Sequence, residues 1–329
     1  MHAGREVIVL TPMKNESWVL RSFLEATLAW ADHVIFRDQH STDGSLEILN
    51  GIENVTILNN PSQAYNEAEN RRALLEAARR RGPSNVLISL DVDERISGNI
   101  LTNGFRDKLL ALKPGTGIRI PFANLTPAGD AYWEVPLDPI GFVDDGRVPD
   151  TSAPIHFPRT CIVEFDQVWT PDDVKLMHLQ YLDPERTNSK QRWYQMWELL
   201  NIPGTNPVKL YRRYHHRDSI PPKNYLPLPK GWLAPYKERG IDALAYEKNG
   251  DFWWDSEAKS WLAIHGGKRF CRVDIGDWRH NWLDETRGFD SLVLLYLVKT
   301  QKYYRPSKVN PIFLTIYFLD YLAAYIWRP

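Results

Sequence analysis

Val86-Leu87-Ile88-Ser89-Leu90-Asp91-Val92-Asp93 is a short apolar run that ends abruptly in two carboxylates. A mainly apolar run of this length, bounded by polar residues, is the pattern of a strand buried on both faces. Toward the N-terminus the same kind of run recurs at Val7 to Leu10, His33 to Phe36 and Asn54 to Leu58. Between the runs lie helical patterns: Trp18, Leu20, Phe23, Leu24, Thr27 and Leu28, then Ser45 to Leu49, then Glu67 to Arg80. Strand and helix in alternation predict an α/β fold, a Rossmann-like and mostly parallel sheet with helices on both faces.

Ligands of such sheets bind beyond the carboxyl ends of the strands, and those stretches are polar here. They are Thr11-Pro12-Met13-Lys14-Asn15-Glu16, Asp38-Gln39-His40-Ser41-Thr42-Asp43-Gly44 and Asp91-Val92-Asp93-Glu94-Arg95. No G-x-G-x-x-G follows the first strand and no G-x-x-x-x-G-K-[ST] occurs, which argues against a dinucleotide enzyme and a P-loop NTPase. Side chains two apart on a strand point the same way, so Asp91 and Asp93 converge at the functional edge. Hard oxygen ligands suit Mn2+ or Mg2+, ions that bind through one or two carboxylates together with phosphate oxygens and water. Asp38 is placed to accept a hydrogen bond from a base or ribose, whereas Asp43, in Ser-Thr-Asp-Gly, reads as a turn and helix-capping residue.

Between about 115 and 180 the periodicity weakens and Pro, Gly and Asp increase, the composition of long loops broken by short strands such as Thr160 to Phe165. Residues 186–200 read as a helix, 218–235 as proline-rich chain, and Leu292 to Val298 and Ile312 to Trp327 as apolar helical segments. The expected organisation is a domain over residues 1–215 and a largely helical, aromatic-rich extension over 216–329. The chain has 329 residues with 40 Lys+Arg against 41 Asp+Glu, a net charge of -1 that does not favour nucleic acid as a partner. Its two cysteines, Cys161 and Cys271, support neither a disulfide framework nor a cysteine metal cluster. No apolar signal segment opens the sequence, so a cytoplasmic location is expected. Pro311 to Trp327 falls short of the ~20 residues of a spanning helix and reads as a core or interfacial one. Lys299, Lys302, Arg305 and Lys308 precede it, which would suit a peripheral contact with the inner face of a membrane, or a docked subunit in a homo-oligomer. Trp253-Trp254, Trp261, Trp278 and Trp282 are expected to pack the tail, with a role toward the acceptor as the alternative.

The stretch Thr11 to Glu16, the Trp30-Ala31-Asp32 step, Asp38 to Ser45 and Leu90 to Glu94 resemble family 2 glycosyltransferases in residues, order and spacing, with a weaker echo at Leu176 to Tyr181 followed by Lys190. The resemblance covers about residues 6–97. It implies a GT-A fold, a nucleotide-diphosphate sugar donor (UDP-type favoured), a divalent cation, Mn2+ or Mg2+, and inversion at the anomeric carbon. Carried over by position, Pro12 and Glu16 border the nucleoside and Asp38 holds the base. Arg71 or Arg72 lies near the nucleotide, although Asn70-Arg71-Arg72 departs from the commoner Arg-Asn order. Asp91 approaches the ribose, Asp93 binds the metal, and His178 stands where a further metal or diphosphate ligand is found. The expected activity is sugar transfer to a glycan or lipid-linked acceptor in surface polysaccharide synthesis. A sugar nucleotidyltransferase and a non-catalytic glycan-binding or membrane-scaffold protein on the same fold are the alternatives. For the general base the sequence itself offers Asp144 or Asp145, in the turn Gly141-Phe142-Val143-Asp144-Asp145-Gly146, ahead of Asp172-Asp173.

Overall fold

A computed structural model of the chain describes residues 4–63, 66–102, 104–136, 138–149, 158–162, 164–248, 250–275, 288–304 and 311–326. The expected alternation is found as β1 (Val7–Met13), α1 (Ser17–Leu28), β2 (His33–Asp38), α2 (Ser45–Leu49), β3 (Val55–Asn59), α3 (Glu67–Arg79) and β4 (Val86–Ser89). There follow β5 (Glu94–Ile96), α4 (Phe105–Ala111), β6 (Thr116–Ile118), β7 (Phe122–Leu125), β8 (Ala131–Val135), β9 (Gly141–Val143), β10 (Gln167–Trp169) and β11 (Leu176–His178). No strand forms over the described part of 160–165; the short strand expected there lies at β10 instead. The fold class is α/β, as expected.

The main sheet runs β10-β6-β9-β4-β1-β2-β3, with β4, β1, β2 and β3 parallel and β9 antiparallel to both β4 and β6. Both faces of β1 are covered, which is why its sequence is continuously apolar. Val7 and Val9 enter the core on one side with Trp18, Phe23 and Phe36, while Ile8 and Leu10 enter the opposite core with Leu74, Leu75 and Leu87. Strand order reverses between β1 and β4: the chain proceeds outward through β2 and β3, then returns to the other side of β1. The crevice at such a reversal is where ligands bind in open α/β sheets. A second sheet, β12-β8-β7-β11-β5, with β12 at Leu226–Pro227, rises beside the carboxyl end of β4 through β5 and β11.

The chain divides into two compact units elsewhere than at the expected 215/216 boundary. One contains Met1–Leu182 and Leu226–Lys248; the other contains Asp183–Tyr225 and Asn249–Pro329. Residues 226–248, with α7 (Ala234–Lys237), complete the first unit: Tyr236 is fully buried and donates to the Ile96 carbonyl, and Glu247 N–H donates to the Trp18 carbonyl. The second unit holds α5 (Pro184–Asn201), α6 (Pro207–Tyr214), α8 (Trp253–His265), α9 (Gly288–Gln301) and α10 (Pro311–Ile326). Asp183 caps α5 by accepting from the Glu185 and Arg186 amides, with Pro184 at the first helical position. Met196 of α5 packs with Ala258 and Leu262 of α8, which is why α5 belongs with the tail. The aromatics expected to pack there do so: Trp254 is buried beneath the Arg186 guanidinium, and Trp253 and Trp261 surround Trp193. Trp278 and Trp282 lie outside the described residues, as do Arg305, Lys308 and Trp327.

Candidate active site

The loops that follow β1 and β2 are fastened to each other by side chains reaching for backbone. Asn15 N–H donates to Ser41 Oγ, Thr42 N–H to Asn15 Oδ1, Glu16 N–H to Ser45 Oγ, and Ser17 N–H to Asp43 Oδ2. Asp43 Oδ1 also accepts from the Ser45 amide and hydroxyl, so one carboxylate serves the starts of both α1 and α2, the capping role expected of it. Partial burial works to raise its pKa, but these hydrogen bonds outweigh burial and hold it below the ordinary value. Asp32, the acid of the Trp-Ala-Asp step, is also structural: Oδ2 accepts from Val7 N–H at 2.8 Å, and Arg106 pairs with it.

Pro12 lies near the end of β1, opposite Arg37 of β2. Glu16 accepts from Trp18 Nε1 at 2.6 Å. Asp38 ends β2, 3% exposed, with both carboxylate oxygens accepting from Ser41 N–H at 3.2 and 3.3 Å. These three frame one side of the crevice. On the other side, Asp91 is set between two guanidinium groups, Arg71 at 3.0 Å and Arg159 at 3.5 Å. Arg159 also pairs with Glu94, whose Oε2 accepts the Asp91 amide. Burial acts to lower the Arg159 pKa, but Glu94 and Asp91 more than offset it and keep the group firmly charged. Arg71 Nη1 is buried without a hydrogen-bond partner among the described residues.

The loop that carries the two aspartates is fixed from below by Arg95, which is fully buried. It donates to the carbonyls of Val92 and Glu94, and to the Val19 carbonyl and Ser22 Oγ of α1. Burial pulls its pKa down to about 9, which leaves it charged at neutral pH. Asp93 is 7% exposed, and its Oδ2 lies 3.5 Å from His178 Nε2 at the end of β11. The other ring nitrogen, Nδ1, lies 2.9 Å from Asn124 Oδ1 on β7, the strand paired in register with β11. An amide oxygen only accepts, so Nδ1 is the donor of this pair, which leaves Nε2 as the ring nitrogen that can offer a lone pair to a metal on the Asp93 side.

The structure does not bring every expected residue to this crevice. Arg72 lies on the outer face of α3, half exposed, 3.8 Å from Glu76 one turn on; of the two arginines it is Arg71 that reaches Asp91. Asp144 and Asp145 are corrected as candidates for the base. Val143 of β9 pairs with Val86 and the Asp144 amide donates to the Asn85 carbonyl, which puts both acids at the amino end of β4. Six residues of extended chain separate Asn85 from Asp91, roughly 20 Å. Asp144 is buried in a bidentate pair with Arg79, and Asp145 pairs with Arg147. Asp172 and Asp173 are exposed before the start of β11, whereas His178 is at its end. Arg159, Glu94 and Asn124 were not singled out from the sequence. Only Glu94, adjoining the paired aspartates, carried a signal there; Arg159 and Asn124 act through partners 54 to 68 positions away.

The family model of Glycosyl transferase family 2 matches residues 8–103. That segment contains Pro12, Glu16, Asp38, Arg71, Asp91 and Asp93, whereas Asn124, Arg159 and His178 come from the chain beyond it. The expected enzyme class, a glycosyltransferase, is the class of this family. No curated protein matches the chain. Among solved structures the chain is similar to the crystal structure of GalNAc-T7 with UDP, GalNAc and Mn2+, at 13% identity and a TM-score of 0.38. The likeness covers 80% of this chain and 58% of that one.

The resemblance to family 2 implies a divalent cation, and the donors present suit one. A hard carboxylate oxygen of Asp93 and an imidazole nitrogen of His178 face each other within reach of a single ion. No group of three His, Cys, Asp or Glu side chains gathers among the described residues. Two protein ligands, completed by diphosphate oxygens and water, is the usual arrangement for Mg2+ and its relatives at phosphate sites.

Proposed function

We propose that the chain is a metal-dependent glycosyltransferase that moves a sugar from a nucleotide-diphosphate sugar, UDP-type favoured, to a hydroxyl of a glycan or lipid-linked acceptor in surface polysaccharide synthesis. The observation that carries this reading is the Asp91–Asp93 pair at the strand-order reversal, with His178 beside Asp93 and two arginines beside Asp91. Pro12, Glu16 and Asp38 border the nucleoside; Asp38 accepts hydrogen bonds from the base or ribose. Asp93 and His178 would hold Mn2+ or Mg2+. When bound, such an ion neutralises the negative charge that grows on the departing diphosphate. Arg71 and Arg159 act on the same charge: their guanidiniums are already fixed by Asp91 and Glu94 and need no reorganisation when the glycosidic bond breaks. Reaction by single displacement, with inversion, follows the family resemblance. The proton of the attacking hydroxyl passes to a group other than Asp144 and Asp145, which stand at the far end of β4.

The test is calorimetric titration of the full chain with UDP, GDP, CDP and dTDP, each with and without Mn2+, repeated with Asp93→Asn. Metal-dependent binding of one nucleotide, lost in the variant while its melting temperature is retained, is the expected result. Binding of no nucleotide, or equal binding by Asp93→Asn, would overturn the reading.

A further inference from the structure

Helices α9 and α10 of the second unit are amphipathic in an unusual sense: one side is apolar and buried, and the other is apolar and exposed. Val293, Leu294 and Leu297 of α9 and Ile316 of α10 are buried, the first three with Val208 and Tyr211 of α6. The outward stripe of α9 is Leu292, Leu295 and Val298, at three-residue spacing and 48% to 62% exposed. On α10, Tyr317, Phe318, Leu319, Tyr321 and Leu322 are all exposed. Large exposed apolar patches of this kind mark interaction surfaces.

The charges of these helices say what the surface meets. From Ser291 to Leu319 the sequence contains four basic residues and no acidic one. Two of the four, Lys299 and Lys302, are exposed at the end of α9 and line a cavity of about 510 Å³ with Tyr211, Tyr303 and Asp218, the last paired with Arg217. The acid that follows, Asp320, is turned inward. It is 9% exposed and bound bidentately by Arg212 of α6, which also donates to Thr300 and Gln301. The outer surface of the described helices therefore presents aliphatic and aromatic side chains together with lysines. A second copy of the chain apposed on this face would bring the Lys299–Lys302 ends of α9 into its contact surface, while the acids within the two helices are Asp320, turned inward, and Asp290, at the opposite end of α9 from these lysines. An anionic bilayer complements both properties: acyl chains take the apolar side chains, tyrosines sit well at headgroup depth, and lysines meet lipid phosphate. Among the described residues no helix is long and apolar enough to cross a membrane: α10 has 16 residues, about 24 Å of helix against about 30 Å of hydrocarbon.

We propose that α9 and α10 dock in the plane of an anionic phospholipid surface, with Phe318 and Leu319 inserted and Lys299 and Lys302 at the headgroups. The experiment is flotation of the full chain with vesicles of phosphatidylcholine alone and vesicles enriched in phosphatidylglycerol, with sedimentation velocity in parallel. Flotation with the phosphatidylglycerol vesicles, weakened roughly tenfold or more by Lys299→Glu with Lys302→Glu and abolished by Phe318→Ser with Leu319→Ser, is the expected result. Circular dichroism must match wild type in both variants, and nucleotide titration, which reads the other unit, must be unchanged. Failure of the wild-type chain to float, or flotation unaffected by either double variant, would overturn the proposal. So would a dimer in sedimentation that Phe318→Ser with Leu319→Ser dissociates, which would identify the occupant as a second copy.

Discussion

Replacing Asn124 by leucine tests whether His178 is a prepared ligand. The side chain is 4% exposed, and its oxygen lies 2.9 Å from His178 Nδ1. Leucine fills similar space but accepts nothing, so the ring keeps a buried N–H without a partner, at about 1–3 kcal/mol. The ring can recover by carrying its proton on Nε2 instead, but a protonated Nε2 has no lone pair to offer a metal beside Asp93. By either route metal binding weakens by roughly 10- to 100-fold, the usual range for losing a group that orients a metal-binding histidine. Asn124→Asp keeps the acceptor and is expected to restore affinity. Mn2+ titration in the presence of UDP reads the affinity. Nitrogen-15 NMR of the imidazole in the metal-free protein reads which nitrogen bears the proton. Wild-type Mn2+ affinity in Asn124→Leu, with the ring proton still on Nδ1, would refute the argument.

Asp144→Asn is expected to lower the melting temperature, because it breaks the buried pair with Arg79, while metal-dependent UDP binding persists; loss of UDP binding in a folded Asp144→Asn would return that acid to the crevice. Arg212→Ala strands buried Asp320 and should cost about 3–5 kcal/mol in urea unfolding of the second unit, whereas a loss near zero would mean the pair is solvated. Asp43 has a pKa below the ordinary value, so its stabilisation is complete above its unfolded pKa of about 3.9 and fades as pH falls through the folded value. The difference in melting temperature between wild type and Asp43→Asn should therefore shrink on acidification, and a constant gap would contradict the capping role. Burial raises the Cys161 thiol to about 12, so in native protein at pH 8 it should resist a thiol reagent that modifies it at once in denaturant.

The half of the main sheet that forms the crevice was readable because each of its central strands is buried on both faces and therefore written as an apolar run. Asp91 and Asp93 were readable for the same reason, as the point where such a run stops. The second sheet was not: β5, β7, β8 and β11 are three to five residues long and mix polar with apolar side chains, as in Phe122-Ala123-Asn124-Leu125. Asp144 and Asp145 were correctly read as a turn after an apolar approach, but which end of the sheet that turn occupies depends on the antiparallel direction of β9. Gly141 permits that pairing, since a Cβ there would strike the Leu87 carbonyl, yet nothing local in the sequence states it. Arg72 was favoured equally with Arg71 because only the helical phase of α3 against β4 separates them. The 215/216 boundary followed a change in composition, whereas the two compact units follow which apolar faces meet.

The return of residues 226–248 to the first unit bears on how the chain is made. Synthesis delivers β1 through β11 first, then the helices α5 and α6, and only afterwards β12, Tyr236 and Glu247, which close over Tyr132, Ile96 and Trp18. Until the ribosome has passed residue 248, the nascent first unit lacks its covering and exposes the apolar surface around Ile96 that Tyr236 will seal. A protein whose domains followed one another along the chain could fold each as it emerged. Here the earlier-starting unit must wait, and a fragment cut anywhere in the α5–α6 insertion inherits that unsealed surface permanently.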